Sequence, residues 1–133
     1  MDAEQTAVAR NCLAAAYNGT LSFPEIVGKL IAAGFEGYSV DYRRNSQTYF
    51  MQEGHVIDLP LPHPSEPVAT DFDSPQIEAL VRWAQSGDQG YSYAGFSARA
   101  MVSGCAGYLV SFTGRRVVYY GKTAETHVEL FPQ

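Results

Sequence analysis

Residues 34–42 read GFEGYSVDY and residues 104–112 read GCAGYLVSF, so glycine, two residues, glycine, tyrosine and an alternating valine and aromatic are written twice. The likeness extends both ways. LSFPEIVGKLIAAGFEGYSVDYRRNSQTYF at 21–50 aligns without gaps on YSYAGFSARAMVSGCAGYLVSFTGRRVVYY at 91–120. Ser22 and Ser92, Gly34 and Gly104, Gly37 and Gly107, Tyr38 and Tyr108, Val40 and Val110, and Tyr49 and Tyr119 are identical. After a two-residue slip, HVIDLP from His55 matches HVELFP from His127. Self-similarity on this scale points to an internal duplication and predicts the same elements in each copy.

Ser22 opens S-F-P-E, a capping box in which the serine oxygen accepts an orphan amide, Glu25 reaches back and Pro24 sits in the first turn. Ile26, Val27, Leu30 and Ile31 then form one stripe of a helix, which Gly34 ends by adopting positive φ. In the second copy Ser92 is the cap, Phe96, Ala100 and Met101 the stripe and Gly104 the stop. Tyr38, Val40 and Tyr42 alternate with Ser39 and Asp41 as in a half-buried strand, and Tyr108, Val110 and Phe112 repeat this. Turn chemistry at Asn45-Ser46 and Thr113-Gly114 joins each strand to a second one in a hairpin. HVIDL and HVELF supply a third strand, closed by Pro60 and Pro132.

A further helix precedes each copy. One runs from a cap at Asp2 to Asn18-Gly19, with Val8, Cys12, Leu13 and Ala16 on one face. The other has Ser74 as cap and Pro75 at its first position, ends at Gly87, and turns Ile77, Leu80, Val81 and Ala84 to one side. The chain thus reads as one α+β domain of residues 1–133: repeat 1 over about 2–60, a proline-rich linker over about 61–73 and repeat 2 over about 74–133. Helices on one side of an antiparallel sheet, a two-layer sandwich, bury all the stripes. Val117, Val118, Tyr119 and Tyr120 are apolar on both strand faces, however, so the second sheet face needs a cover: a helix, a partner subunit or a ligand.

With 133 residues, 46% hydrophobic and 17% charged, the chain falls in the globular class and is long enough for a real core. The net charge of −5 argues against nucleic-acid binding, which needs a basic face. The first residues lack the pattern of a signal peptide and no apolar run approaches a membrane span, so a cytoplasmic location without membrane attachment is expected. Cys12 and Cys105 lack a C-x-x-C spacing and are expected to be reduced and buried, Cys105 with partial exposure.

AGFEGYSVDYRRNSQTYF, its echo AGYLVSFTGRRVVYYGKTAETHVELFP, and the N-terminal helix leading into G-T-L-S-F-P-E resemble the YbcV/YdfO-like family of small bacterial and prophage-encoded proteins. Many members carry the label phage envelope protein. The resemblance covers nearly the whole chain. It implies an α+β fold with no established activity, cofactor or catalytic residues.

Three groups of residues merit a functional reading. His55 and His127 each begin a third strand; near a twofold axis they would form one proton-transfer or metal site with Glu125 or Asp58. The simpler role for each is to fix its own strand start, and His63 in the linker has no counterpart. Tyr38, Tyr49, Tyr108 and Tyr119 recur at strand spacing, which fits core packing, or an aromatic-lined groove or dimer face. Arg43-Arg44 and Arg115-Arg116 flank the hairpin turns, as solvated turn residues or, if adjacent, as an anion site. Glu66, Asp71, Asp73 and Glu78 read as solubilising charges, and Asp71 and Asp73 lack the glycine and terminal glutamate of a calcium loop.

No Gly-rich nucleotide loop, zinc-protease motif or nucleophile elbow is present. No cofactor or metal is therefore expected. The leading expectation is a non-catalytic binding or interaction module forming a homo-oligomer through an aromatic sheet face; the alternative is a small enzyme or ligand-binding protein built around His55, His127 and Glu125. In that alternative, Tyr38, Tyr49, Tyr108, Tyr119, Arg115 and Arg116 are the candidate ligand contacts.

Overall fold

The computed structural model describes residues 3–62 and 66–132. Each half of the chain runs helix, helix, three strands. The first half comprises α1 (Ala3–Asn18), α2 (Phe23–Ala32), β1 (Phe35–Asp41), β2 (Ser46–Met51) and β3 (Val56–Pro60); the second comprises α3 (Ser74–Gln85), α4 (Tyr93–Val102), β4 (Cys105–Ser111), β5 (Arg116–Gly121) and β6 (Thr126–Leu130). The strands form one antiparallel six-stranded sheet in the order β3-β2-β1-β4-β5-β6, so the fold is α+β with two layers.

Local chemistry sets the element ends. Ser22 accepts from the Glu25 amide while Glu25 Oε1 accepts from the Ser22 amide at 2.8 Å, completing the capping box. Ser92 caps α4 with its own side chain alone, which accepts from the Gly95 amide at 2.9 Å. Gly34 and Gly104 follow the helices with φ of 98° and 89°, a region open to glycine at no steric cost. Two expectations change. The cap of α3 is Asp73, whose side chain accepts from the Gln76 amide at 3.1 Å, so Ser74 lies inside the first turn and its hydroxyl is released from capping. Ile31 is 48% exposed, because the buried arc of α2 stops at Leu30. The proposed cap Asp2 lies outside the described residues.

The second glycine of the repeated motif serves the central junction. β1 and β4 pair with Ser39 opposite Leu109, and a Cβ on Gly37 would collide with the carbonyl oxygen of Val110, one on Gly107 with that of Val40. Both sites also carry a register shift, between Phe35 and Gly37 and between Cys105 and Gly107. Glycine thus lets the two middle strands close up.

All four helices pack on one sheet face. Leu13 of α1, Leu30 of α2, Leu80 of α3 and Phe96 of α4 join Tyr38, Val40, Tyr49, Tyr108, Val110 and Tyr119 in a single buried core. Cys12 and Cys105 are both buried and free; Cys105, expected to be partly exposed, is fully enclosed because it belongs to β4 rather than to a connection. Val117 and Tyr119 face the core, whereas Val118 and Tyr120 face the opposite side. No described helix covers that side. None of the described helices is long and apolar enough to cross a membrane.

Candidate functional site

Alternation along β6 turns His127 and Glu129 toward the helices and Thr126, Val128 and Leu130 away from them. α3 packs against this strand, and its first and third turns bring Ser74 and Arg82 alongside. His127 Nδ1 lies 2.9 Å from Ser74 Oγ, and its Nε2 lies 2.7 Å from Glu129 Oε2. The other oxygen of Glu129 accepts from Arg82 at 3.1 Å. The tautomer with the proton on Nε2 satisfies every member: Nε2–H donates to Glu129, and Nδ1 accepts from the serine hydroxyl. The His127 and Glu129 side chains are 16% and 12% exposed, so the line of bonds is sheltered yet open to solvent at its edge.

His55 takes no part in this arrangement. It precedes β3 at the opposite edge of the sheet, five strand spacings or about 24 Å away. Nor are the two histidines equivalent. Tyr49 pairs with Ile57 and Tyr119 pairs with His127, so a constant separation of 70 residues, Ser46 to Arg116 and Pro60 to Leu130, runs through the third strand without a slip. Ile57 is the counterpart of His127, and Glu125 that of His55. The carbonyl of His55 accepts from the Met51 amide at 2.9 Å, and that of Glu125 from the Gly121 amide at 3.0 Å. The Glu125 carboxylate is held by Thr123 at 2.8 Å. A site shared by His55, His127 and Glu125 is therefore not assembled within one chain, because the strand order puts the third strands at the two edges. Asp58, the other carboxylate considered for it, is bonded by Thr48 on β2. His63 lies outside the described residues.

The other candidates separate in the same way. Tyr38, Tyr49, Tyr108 and Tyr119 are buried on the helix-covered face, so they form neither a groove nor an exposed aromatic face. Their rings pack on one another, Tyr38 on Tyr49 at 5.5 Å and Tyr108 on Tyr119 at 5.2 Å between centroids. Gln47 donates to the Tyr49 hydroxyl at 2.9 Å, and the Tyr108 and Tyr93 hydroxyls bond each other. Burial pushes all four phenols above their ordinary range. Because β1 and β4 are antiparallel, the Arg43-Arg44 and Arg115-Arg116 turns lie at opposite ends of the sheet. Arg115 stacks over Phe131 and Arg116 bonds the Gly114 carbonyl at 3.1 Å, so no anion site joins the turns.

The exposed apolar surface is elsewhere. On the face without helices, Leu109, Val118 and Val128 stand side by side across β4, β5 and β6. Leu109 and Val128 are each 45% exposed and Leu130 is 64% exposed. The corresponding row across β1, β2 and β3 is Ser39, Thr48 and Asp58, with Thr48 bonded to Asp58. The middle row is thus apolar across β4, β5 and β6 and polar across β1, β2 and β3, although Phe50 and the 48% exposed Val56 pair beside the polar row on the same face.

No protein-family model matches the chain, and no curated protein matches it. What it does must be read from its own surface and side chains. A cleft of about 230 Å³ between α1 and α4, lined by Tyr17, Tyr42, Ser97 and Met101, falls below the ~300 Å³ at which small-molecule sites begin, whereas a wider depression of about 720 Å³, lined by Asp71, Asp73, Arg99 and Val102, lies open to solvent. Among the described residues no group of three or more His, Cys, Asp or Glu is placed to hold a metal. Sequence reasoning singled out His127 but missed its partners. The H-x-E spacing of His127 and Glu129 was the available signal, since alternate residues of a strand share a face; Ser74 and Arg82 join only once α3 docks.

Proposed function

We propose that this protein is a cytoplasmic interaction module that self-associates through the outward face of β4, β5 and β6. The observation that carries this reading is the row Leu109, Val118 and Val128, continued by Leu130, on a face that no described helix covers. Burying such a row is worth about 25 cal/mol per Å² of apolar surface removed from water. The occupant we assign is a second copy. Full overlap of two whole faces would set the Asp41 and Asp58 carboxylates of the first half either against their own kind or against the apolar row, according to the direction of the twofold axis, whereas stacking the second halves sets apolar row on apolar row. This revises the contact surface from the core tyrosines to the opposite face of the same sheet.

We further propose membership of the YbcV/YdfO-like family of bacterial and prophage-encoded proteins, and an origin by internal duplication. The common helix-helix-three-strand order and the constant 70-residue separation support the duplication.

Light scattering at micromolar concentration tests the assembly. A dimer mass is expected, converted to a monomer mass by L109S/V118T/V128D, which writes the polar row of the first half onto the second. A monomeric parent protein, or a variant that stays dimeric, would overturn the reading.

A further inference from the structure

The line Ser74–His127–Glu129 is connected like the serine, histidine and carboxylate of an acyl-transfer site, with the ring nitrogens in exchanged roles. From this geometry we propose that Ser74 is a nucleophile toward small activated esters, with His127 as its general base. Ser74 Oγ is 2.9 Å from Nδ1, within reach for proton transfer, and Nε2–H is fixed by Glu129 at 2.7 Å, which holds the accepting nitrogen toward the serine. Arg82 pins the second carboxylate oxygen at 3.1 Å, so Glu129 keeps its place. Three features of α3 complete the case. Asp73 does the capping, which leaves the Ser74 hydroxyl to His127. Pro75 has no amide hydrogen and the Gln76 amide is engaged by Asp73. The Ser74 amide takes no hydrogen bond among the described residues and stands at the positive end of a 12-residue helix, available to a developing oxyanion.

In the step proposed, Ser74 Oγ forms a bond to the ester carbonyl carbon while its proton passes to His127 Nδ1. The tetrahedral intermediate collapses by breaking the bond to the leaving oxygen, which takes the proton from Nδ1. The products are acyl-Ser74 and the free alcohol. The site is shallow and edge-on, which suits a short acyl group rather than a large substrate.

The test is incubation of the full chain with p-nitrophenyl acetate and, separately, with a fluorophosphonate, read by intact mass and peptide mapping. A single adduct on Ser74 is expected, absent in S74A and formed about 100-fold more slowly in H127Q, the lower range for loss of a general base. Thermal melting checks that each variant is folded. A purely structural histidine would change the melting point but not the labelling rate. A second variant covers failure of H127Q to fold: in S74C the new thiol should react with iodoacetamide faster than a free cysteine does, and more slowly once E129Q is added. An unlabelled parent chain, labelling that ignores His127, or an S74C thiol no faster than free cysteine would each overturn the proposal.

Discussion

Gly37 and Gly107 sit on either side of the central strand pair, each where a side chain would strike the carbonyl oxygen of the other strand, that of Val110 or of Val40. Replacing either by alanine must push β1 and β4 apart or twist them. We expect Gly37→Ala and Gly107→Ala each to cost about 2 kcal/mol or more, measured by urea denaturation. Gly28, in α2 with nothing near its missing Cβ, is the control: Gly28→Ala is expected to stabilise by up to about 1 kcal/mol. Equal effects at the three sites would contradict the collision.

Alkaline stability follows from the buried phenols. Burial raises the pKa of Tyr38, Tyr42, Tyr49, Tyr108 and Tyr119, so each stays neutral in the folded protein where the unfolded chain ionises near pH 10. Their contribution is complete below pH 10 and is lost as pH rises above it, at roughly 1.4 kcal/mol per pH unit for each tyrosine. Melting temperature should be flat from neutrality to about pH 9 and fall steeply beyond pH 10. Tyrosinate absorbance from these residues should appear only as the fold is lost.

The outward row separates assembly from folding. Leu109 and Val128 are each 45% exposed and lie outside the buried core, so L109S/V118T/V128D should dissociate the dimer while changing monomer stability by about 0.5 kcal/mol or less per site. Denaturation at a concentration where both proteins are monomeric reads this directly. A collapse of the variant's fold would mean that the row packs within the chain.

The cysteines should be inert. Cys105 is fully buried, and burial, the larger influence, pushes its thiol up to about 12; Cys12 is raised by burial as well. A disulfide-exchange reagent at pH 8 should therefore modify neither thiol until the protein unfolds.

Much of this fold was legible because it is written in local chemistry. Ser22, Ser92, Gly34 and Gly104 mark helix ends through caps and positive φ, and the alternation around Tyr38 and Tyr108 marks strands through burial of one face. The failures concern partners brought by distant chain. His55 and His127 looked equivalent because both precede valine, yet equivalence is set by hairpin register, which pairs Tyr119 with His127 and Tyr49 with Ile57. Ser74 looked like a cap because a proline follows it, but the aspartate one residue earlier holds the Gln76 amide. The four repeated tyrosines left core and surface open, and packing of all four helices on their side decides for the core.

The register between β1 and β4 carries one more consequence. With Ser39 opposite Leu109, and those residues 70 apart like every other matched pair, the junction reads nearly the same from either strand. A first half alone would meet a second first half with Ser39 opposite Ser39, strand against identical strand. Two separate half-length chains have in this geometry a ready way to build the full sheet as an isologous pair, with the connection between the halves serving as a tether.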